Sequence, residues 1–143
     1  MSTQRRSFGL VLALAFAVRA GSAQGSRSSN GTGRWKEIGK TSTGNTVQID
    51  PKSVIIAKDG IITAILQMPY AKPYETPQGK VLLSRAKAKF DCLKRQIAVL
   101  ESTTYRDLAG TQVMQHSAPK IPGFGTVFTS NYSGVALEYL CRK

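Results

Sequence analysis

The sequence predicts an α+β fold that is mainly β: a small antiparallel sheet of about six strands with a short C-terminal helix, preceded by a signal peptide. Three observations carry this. Beyond residue 33 the chain breaks into short runs rich in β-branched residues, separated by Gly, Pro, Asn and Asp. Between Arg85 and Cys92 polar and apolar residues alternate strictly, the period of a strand with one face buried. Helical spacing of apolar residues occurs only in the tail, after residue 130. At 143 residues, with 41% hydrophobic and 20% charged residues, the chain has the length and composition of one folded domain and not of a disordered one.

The N-terminus places Arg5 and Arg6 before an apolar run from Phe8 to Val18, followed by Gly21-Ser22-Ala23. Charged, apolar and small-residue regions in that order are those of a secretory signal peptide. The run is too short for a membrane-spanning helix, which needs about 20 residues. Cleavage after Ala23 divides the chain into a signal peptide (1–23), a Ser/Gly-rich flexible lead (24–33) and a folded domain (34–143), with no transmembrane span after cleavage. Export to the periplasm, the cell surface or the medium follows, and the absence of Cys after the small-residue site argues against a lipid-modified N-terminus. Cleavage removes Arg5, Arg6 and Arg19 and no acid, leaving seventeen Lys and Arg against eight Asp and Glu, a formal +9.

Along the domain, Trp35 and Ile38 open a first strand that ends at the Thr43-Gly44-Asn45 turn, and Thr46–Ile49 forms a second. Asp50-Pro51 interrupts the ladder because proline has no N–H to give. Ser53–Ala57 and Ile61–Met68 make a hairpin around Lys58-Asp59-Gly60, with Asp-Gly supplying the tight turn. Both faces of Ile61–Met68 are largely apolar, so this strand is expected at the centre of the sheet. Pro69–Gly79, with Pro69, Pro73 and Pro77, is expected to be a long exposed loop carrying Tyr70 and Tyr74.

From Ser84 onward Arg85, Lys87 and Lys89 take one face while Ala86, Ala88, Phe90 and Cys92 take the other. After a turn over Asp91–Arg95, Gln96–Tyr105 returns, with Ile97, Val99, Thr103 and Tyr105 expected on a shared face. Residues 106–131 read as irregular apart from brief pairing near Thr126–Thr129. Two readings stand for the tail: a helix capped by Ser133 with Ala136, Leu137, Leu140 and Cys141 on one stripe, which the spacing favours, and a strand with Val135, Leu137, Tyr139 and Cys141 together. Both put Cys141 on the apolar side.

Cys92 and Cys141 are the only cysteines, and an oxidising compartment favours a disulfide between them. Two free buried thiols and a redox pair are the alternatives, the latter disfavoured by a spacing far from Cys-x-x-Cys. One histidine and two cysteines fall short of a four-ligand zinc site, so no metal or cofactor is expected. Gly39-Lys40-Thr41 has its upstream glycine at Gly33, one position out of register for a phosphate-binding loop. His116 beside Ser117 lacks an evident orienting acid and reads as a surface-loop histidine. The eight acids are scattered through turns and strand ends, so catalysis is not the reading. The distinctive feature is a basic stripe of Arg85, Lys87 and Lys89, continued by Lys94 and Arg95 at the hairpin end. Like charges about 7 Å apart along one strand suit a sulfated glycan or another acidic partner, and equally make a solvated face. Export and the absence of an RNA-recognition signature argue against a specific nucleic-acid partner.

Trp35, Ile49-Asp50, Ser53-Val54, Gly60, Ser84, Phe90-Asp91-Cys92, Tyr105 and Cys141, taken in order, resemble the surface-adhesin protein E-like domain of Gram-negative bacteria. The resemblance implies a small antiparallel sheet with a C-terminal helix and a non-enzymatic role in binding host matrix proteins. The expectation is therefore an exported binding module contacting an extracellular-matrix protein, a sulfated glycan or an envelope component. The alternative is a periplasmic structural or envelope-maintenance protein without a host ligand. An unpaired sheet edge leaves a homodimer open.

Overall fold

Six antiparallel strands hydrogen-bond in the order β1-β2-β4-β5-β6-β7 in the computed structural model, which describes residues 33–142. They are β1 (Lys36–Lys40), β2 (Thr46–Ile49), β4 (Ile62–Thr76), β5 (Gly79–Asp91), β6 (Gln96–Tyr105) and β7 (Val113–Ser117). Two short strands complete an eight-stranded sheet: β3 (Ile55–Ile56) pairs with β4, and β8 (Gly125–Thr126) pairs with β6. A single helix, α1 (Tyr132–Leu140), follows. The signal peptide, its cleavage site and nearly all of the lead lie outside the described residues. Among the described residues no helix is long and apolar enough to cross a membrane.

Local chemistry accounts for the turns. At the end of β2 the Asp50 carboxylate accepts from the Lys52 N–H at 3.0 Å, while Ser53 Oγ donates to the Asp50 carbonyl and accepts from the Ile65 N–H. That exchange sews the proline turn onto the central strand. In the β3–β4 hairpin the Asp59 carboxylate accepts from the Ile61 N–H, and Ile55 lies opposite Thr63.

α1 crosses β1, β2 and β4 on one face of the sheet. Ile49, Ile62, Ala64, Leu66, Ala88, Phe90 and Ile97 meet Ala136 and Leu137 there. Phe90, Leu66 and Leu137 are almost wholly excluded from solvent, each burial contributing about 1.5–3 kcal/mol. Gly134 permits the close approach, because a Cβ on it would stand 2.5 Å from the Phe128 carbonyl oxygen. The Cys92–Cys141 disulfide, with Cα atoms 5.5 Å apart, pins the end of the helix to the turn after β5.

Four local expectations change. Pro69–Gly79 is not a loop: β4 runs to Thr76 and pairs with β5 again at Tyr74–Val81 after a bulge. β2 departs from β4 after Gln67, so the proline-bearing part has a free edge, where a missing N–H breaks no ladder. Val113–Ser117, expected to be irregular, is the edge strand β7, which puts His116 on a strand instead of a loop. Its side chains are mostly exposed, and a strand without a buried face leaves no alternation to read. A bulge in β6 sets Ala88 opposite Val99 but Lys87 opposite Glu101. Ile97 and Val99 therefore face the helix, while Thr103 and Tyr105 turn to the other side. The tail is a helix, but Asn131 caps it: its side-chain oxygen accepts from the Ser133 and Gly134 N–H groups.

Candidate functional site

On the face opposite α1, β5 presents Arg85, Lys87 and Lys89 in a row, but the five residues of the basic stripe have different environments. Lys87 and Lys89 are exposed, as is Lys94 in the turn after β5. Among the described residues none of the three forms an ion pair, although Lys87 stands opposite Glu101 in the ladder. Arg95 pairs with Glu138 of α1 across the hairpin end. Arg85 is engaged on every side. Its guanidinium lies 5.3 Å from the Trp35 ring and 5.1 Å from the Tyr105 ring. Nε donates to Gln67 Oε1 at 3.0 Å and a terminal N–H to the Ala109 carbonyl at 3.3 Å, with Gly110 against the guanidinium. Arg34 covers Trp35 in turn at 5.1 Å while donating to the buried Asp50 at 2.7 Å. The result is a stack of cations and rings, Arg34, Trp35, Arg85 and Tyr105, that joins the start of the domain to β5 and β6.

Arg85 also belongs to a polar row that crosses the sheet. Cross-strand partners run Glu37–Gln48–Gln67–Arg85–Thr103–His116. Gln67 donates to Gln48 Oε1 at 2.7 Å, and Thr103 Oγ1 lies 2.8 Å from His116 Nδ1. Thus His116 is a member of this row and carries no nucleophile–base geometry with Ser117. The loop after β6 holds its own shape: the Asp107 carboxylate accepts from Thr111 Oγ1 at 2.6 Å and from the Gln112 N–H at 2.9 Å. These bonds hold the Asp107 carboxyl below its ordinary value, the Thr111 hydroxyl foremost.

The helix face has a second feature. Beyond the N-terminus of α1 no helix covers the sheet among the described residues, and a groove of about 160 Å³ opens between Tyr70 and Tyr132. Small residues make it concave, among them Ser84 and Ala86 on β5 and Ser102 and Thr104 on β6. Tyr70 is fixed by a 3.1 Å contact between its hydroxyl and Ser84 Oγ, and its ring stacks on Tyr74 with centroids 6.1 Å apart. Burial, with Tyr70 adding a smaller push, raises the Tyr132 phenol above its ordinary value, so it is neutral at physiological pH.

The sequence reading found the stripe and the disulfide and missed the aromatic stack and the groove. Gln67, a buried amide between the apolar Leu66 and Met68, is the signal that something polar had to meet it. The groove had a fainter one: small side chains at alternate positions of two long strands, with nothing large assigned to cover them.

Comparison with known proteins agrees with this architecture. The sequence pattern of the family described as surface-adhesin protein E matches residues 35–142. The fold is similar to that of Haemophilus influenzae protein E in crystal form II, with a TM-score of 0.52 at 14% identity over 93% of this chain and 96% of the other. A second structure of Haemophilus influenzae protein E aligns with a TM-score of 0.51 at 15% identity, over 76% of this chain and 84% of the other. No curated protein matches the chain.

Proposed function

Because this chain belongs to the surface-adhesin protein E family, we propose that it is an exported, non-enzymatic binding module whose Lys87, Lys89 and Lys94 contact acidic groups on a matrix or envelope partner. The observation that carries the reading is the exposure of these three cations without an ion-pair partner among the described residues, two of them in a row on one strand. A rigid strand spaces Lys87 and Lys89 about 7 Å apart, a repeat suited to sulfates or carboxylates along a polymer. Arg85 and Arg95 extend the positive field, but their guanidinium groups are already held by the aromatic stack and by Glu138. Cleavage of the signal peptide after Ala23 and a domain starting near Arg34 belong to the same proposal.

Charge reversal tests it. The Lys87→Glu, Lys89→Glu, Lys94→Glu variant is expected to elute from immobilised heparin at much lower salt than a control with Lys52, Lys72 and Lys120 reversed. Equal losses would reduce the stripe to general electrostatics and remove the proposed site. Protease treatment of intact source cells supplies the location. Digestion would place the stripe within reach of a host partner, whereas protection until the outer membrane is permeabilised would leave an envelope-maintenance protein without a host ligand.

A further inference from the structure

We infer that the acidic partner of Lys87, Lys89 and Lys94 is an anionic phospholipid surface, on which Leu93 and Ile55 seat as apolar anchors. The inference rests on the proposal that these lysines contact acidic groups, and adds to it the chemistry of the partner. What separates a lipid surface from a sulfated polymer is exposed aliphatic surface beside the charge, because a chain of sulfates and carboxylates offers nothing to bury it against. Leu93 is 92% exposed in the turn between β5 and β6, immediately before Lys94, and Ile55 is 63% exposed on β3.

The register of the sheet brings the two together. Ile55 lies opposite Thr63 and Thr63 opposite Lys89, so Ile55 and Lys89 share the face turned away from α1. On the same face the half-buried Ile65 stands opposite Lys87. One position further, Ile62 pairs with both Ile56 and Phe90, the last pair of each ladder, which sets the β3–β4 turn and the β5–β6 turn side by side at one end of the sheet. This corner carries Ile55, Lys58, Lys89, Leu93 and Lys94, all exposed. The acids of the two turns are engaged by the backbone: the Asp59 carboxylate accepts from the Ile61 N–H at 3.1 Å, and the Asp91 carboxylate from the Lys94 N–H at 3.0 Å. Glu101 lies opposite Lys87 on β6, on the side of the stripe away from Ile55. Each lysine near an anionic bilayer raises partition about fivefold, and immersing a leucine adds about tenfold, so cations and anchors together hold a protein that neither would hold alone.

The test is sedimentation of the purified exported protein, disulfide intact, with vesicles of phosphatidylcholine alone and of equal parts phosphatidylcholine and phosphatidylglycerol. Binding is expected to the anionic vesicles only, and to weaken as salt rises. Leu93→Ser and Ile55→Ser should each lower that partition about tenfold, without changing the salt at which the protein leaves immobilised heparin. Leu108→Ser, the loss of an exposed leucine beyond the opposite end of β6, should change neither. In Leu93→Trp the added indole should shift its emission to the blue on anionic vesicles, a readout that stands even where a serine variant folds poorly. A partition unchanged in Leu93→Ser or Ile55→Ser, an equal loss in Leu108→Ser, no blue shift in Leu93→Trp, or retention on heparin with no binding to anionic vesicles would overturn the lipid assignment and leave the cationic stripe standing. Failure of the stripe itself has a different signature, equal heparin losses for its charge reversal and for the scattered control, and would take the lipid assignment with it.

Discussion

Replacing Arg85 by methionine should unfold the domain more readily by about 2–3 kcal/mol, even though Arg85 sits in a row of surface cations. The magnitude follows from what surrounds the guanidinium. Two ring contacts, 5.3 Å to Trp35 and 5.1 Å to Tyr105, are worth about 0.5–1 kcal/mol each at a partly exposed site. The charged hydrogen bond to Gln67 Oε1 adds about 1.5 kcal/mol, and its loss leaves a buried amide oxygen short of a donor. Methionine keeps part of the packing on the rings, which brings the expected cost to the lower end of the sum. Against a typical total of about 5–15 kcal/mol for a small domain, this is a large fraction. Urea unfolding followed by the fluorescence of Trp35, the only tryptophan, measures it directly, with an unchanged denaturant slope expected. Lys87→Met on the next outward position of the same strand should stay within about 0.5 kcal/mol of the parent. A cost for Arg85→Met below about 0.5 kcal/mol, or equal costs for the two variants, would refute the assignment of Arg85 to the stack.

Removing the disulfide with the Cys92→Ser, Cys141→Ser pair frees a loop closed over a sequence separation of 49 and should cost about 4 kcal/mol in equilibrium unfolding, most of it through the unfolded chain. Acid should loosen the loop after β6 before the sheet. The Asp107 carboxyl is held below its ordinary value by Thr111 and Gln112, so the stabilisation it contributes is complete above that ordinary value and is lost as pH falls through the lower, folded-state value. Amide exchange at Thr111 and Gln112 should therefore accelerate on acidification, and Asp107→Asn should remove that pH dependence.

How far the chain could be read in advance depends on the range of the interactions. The alternation from Arg85 to Cys92, the Asp59-Gly60 turn and the helical spacing in the tail are local patterns, and each produced the element it implied. Two cysteines in a chain expected to be exported likewise implied their own pairing, and the disulfide is present. The departures have long-range causes. Pro69 and Pro73 are compatible with β4 only because β2 leaves that edge free, a fact about a partner strand and not about the prolines. The β6 bulge turns Tyr105 toward Arg85, and no pattern within Gln96–Tyr105 announces it.

The candidate sites divide in the same way. Composition and strand period were enough to line up Arg85, Lys87 and Lys89 on one side of β5, because side-chain direction in a strand depends only on parity. Which of those cations is free and which is held depends on Trp35, Tyr105 and Gln67, brought together from three other segments. The groove exists because a nine-residue helix is shorter than the sheet face it covers, a relation between elements that forms only when they pack.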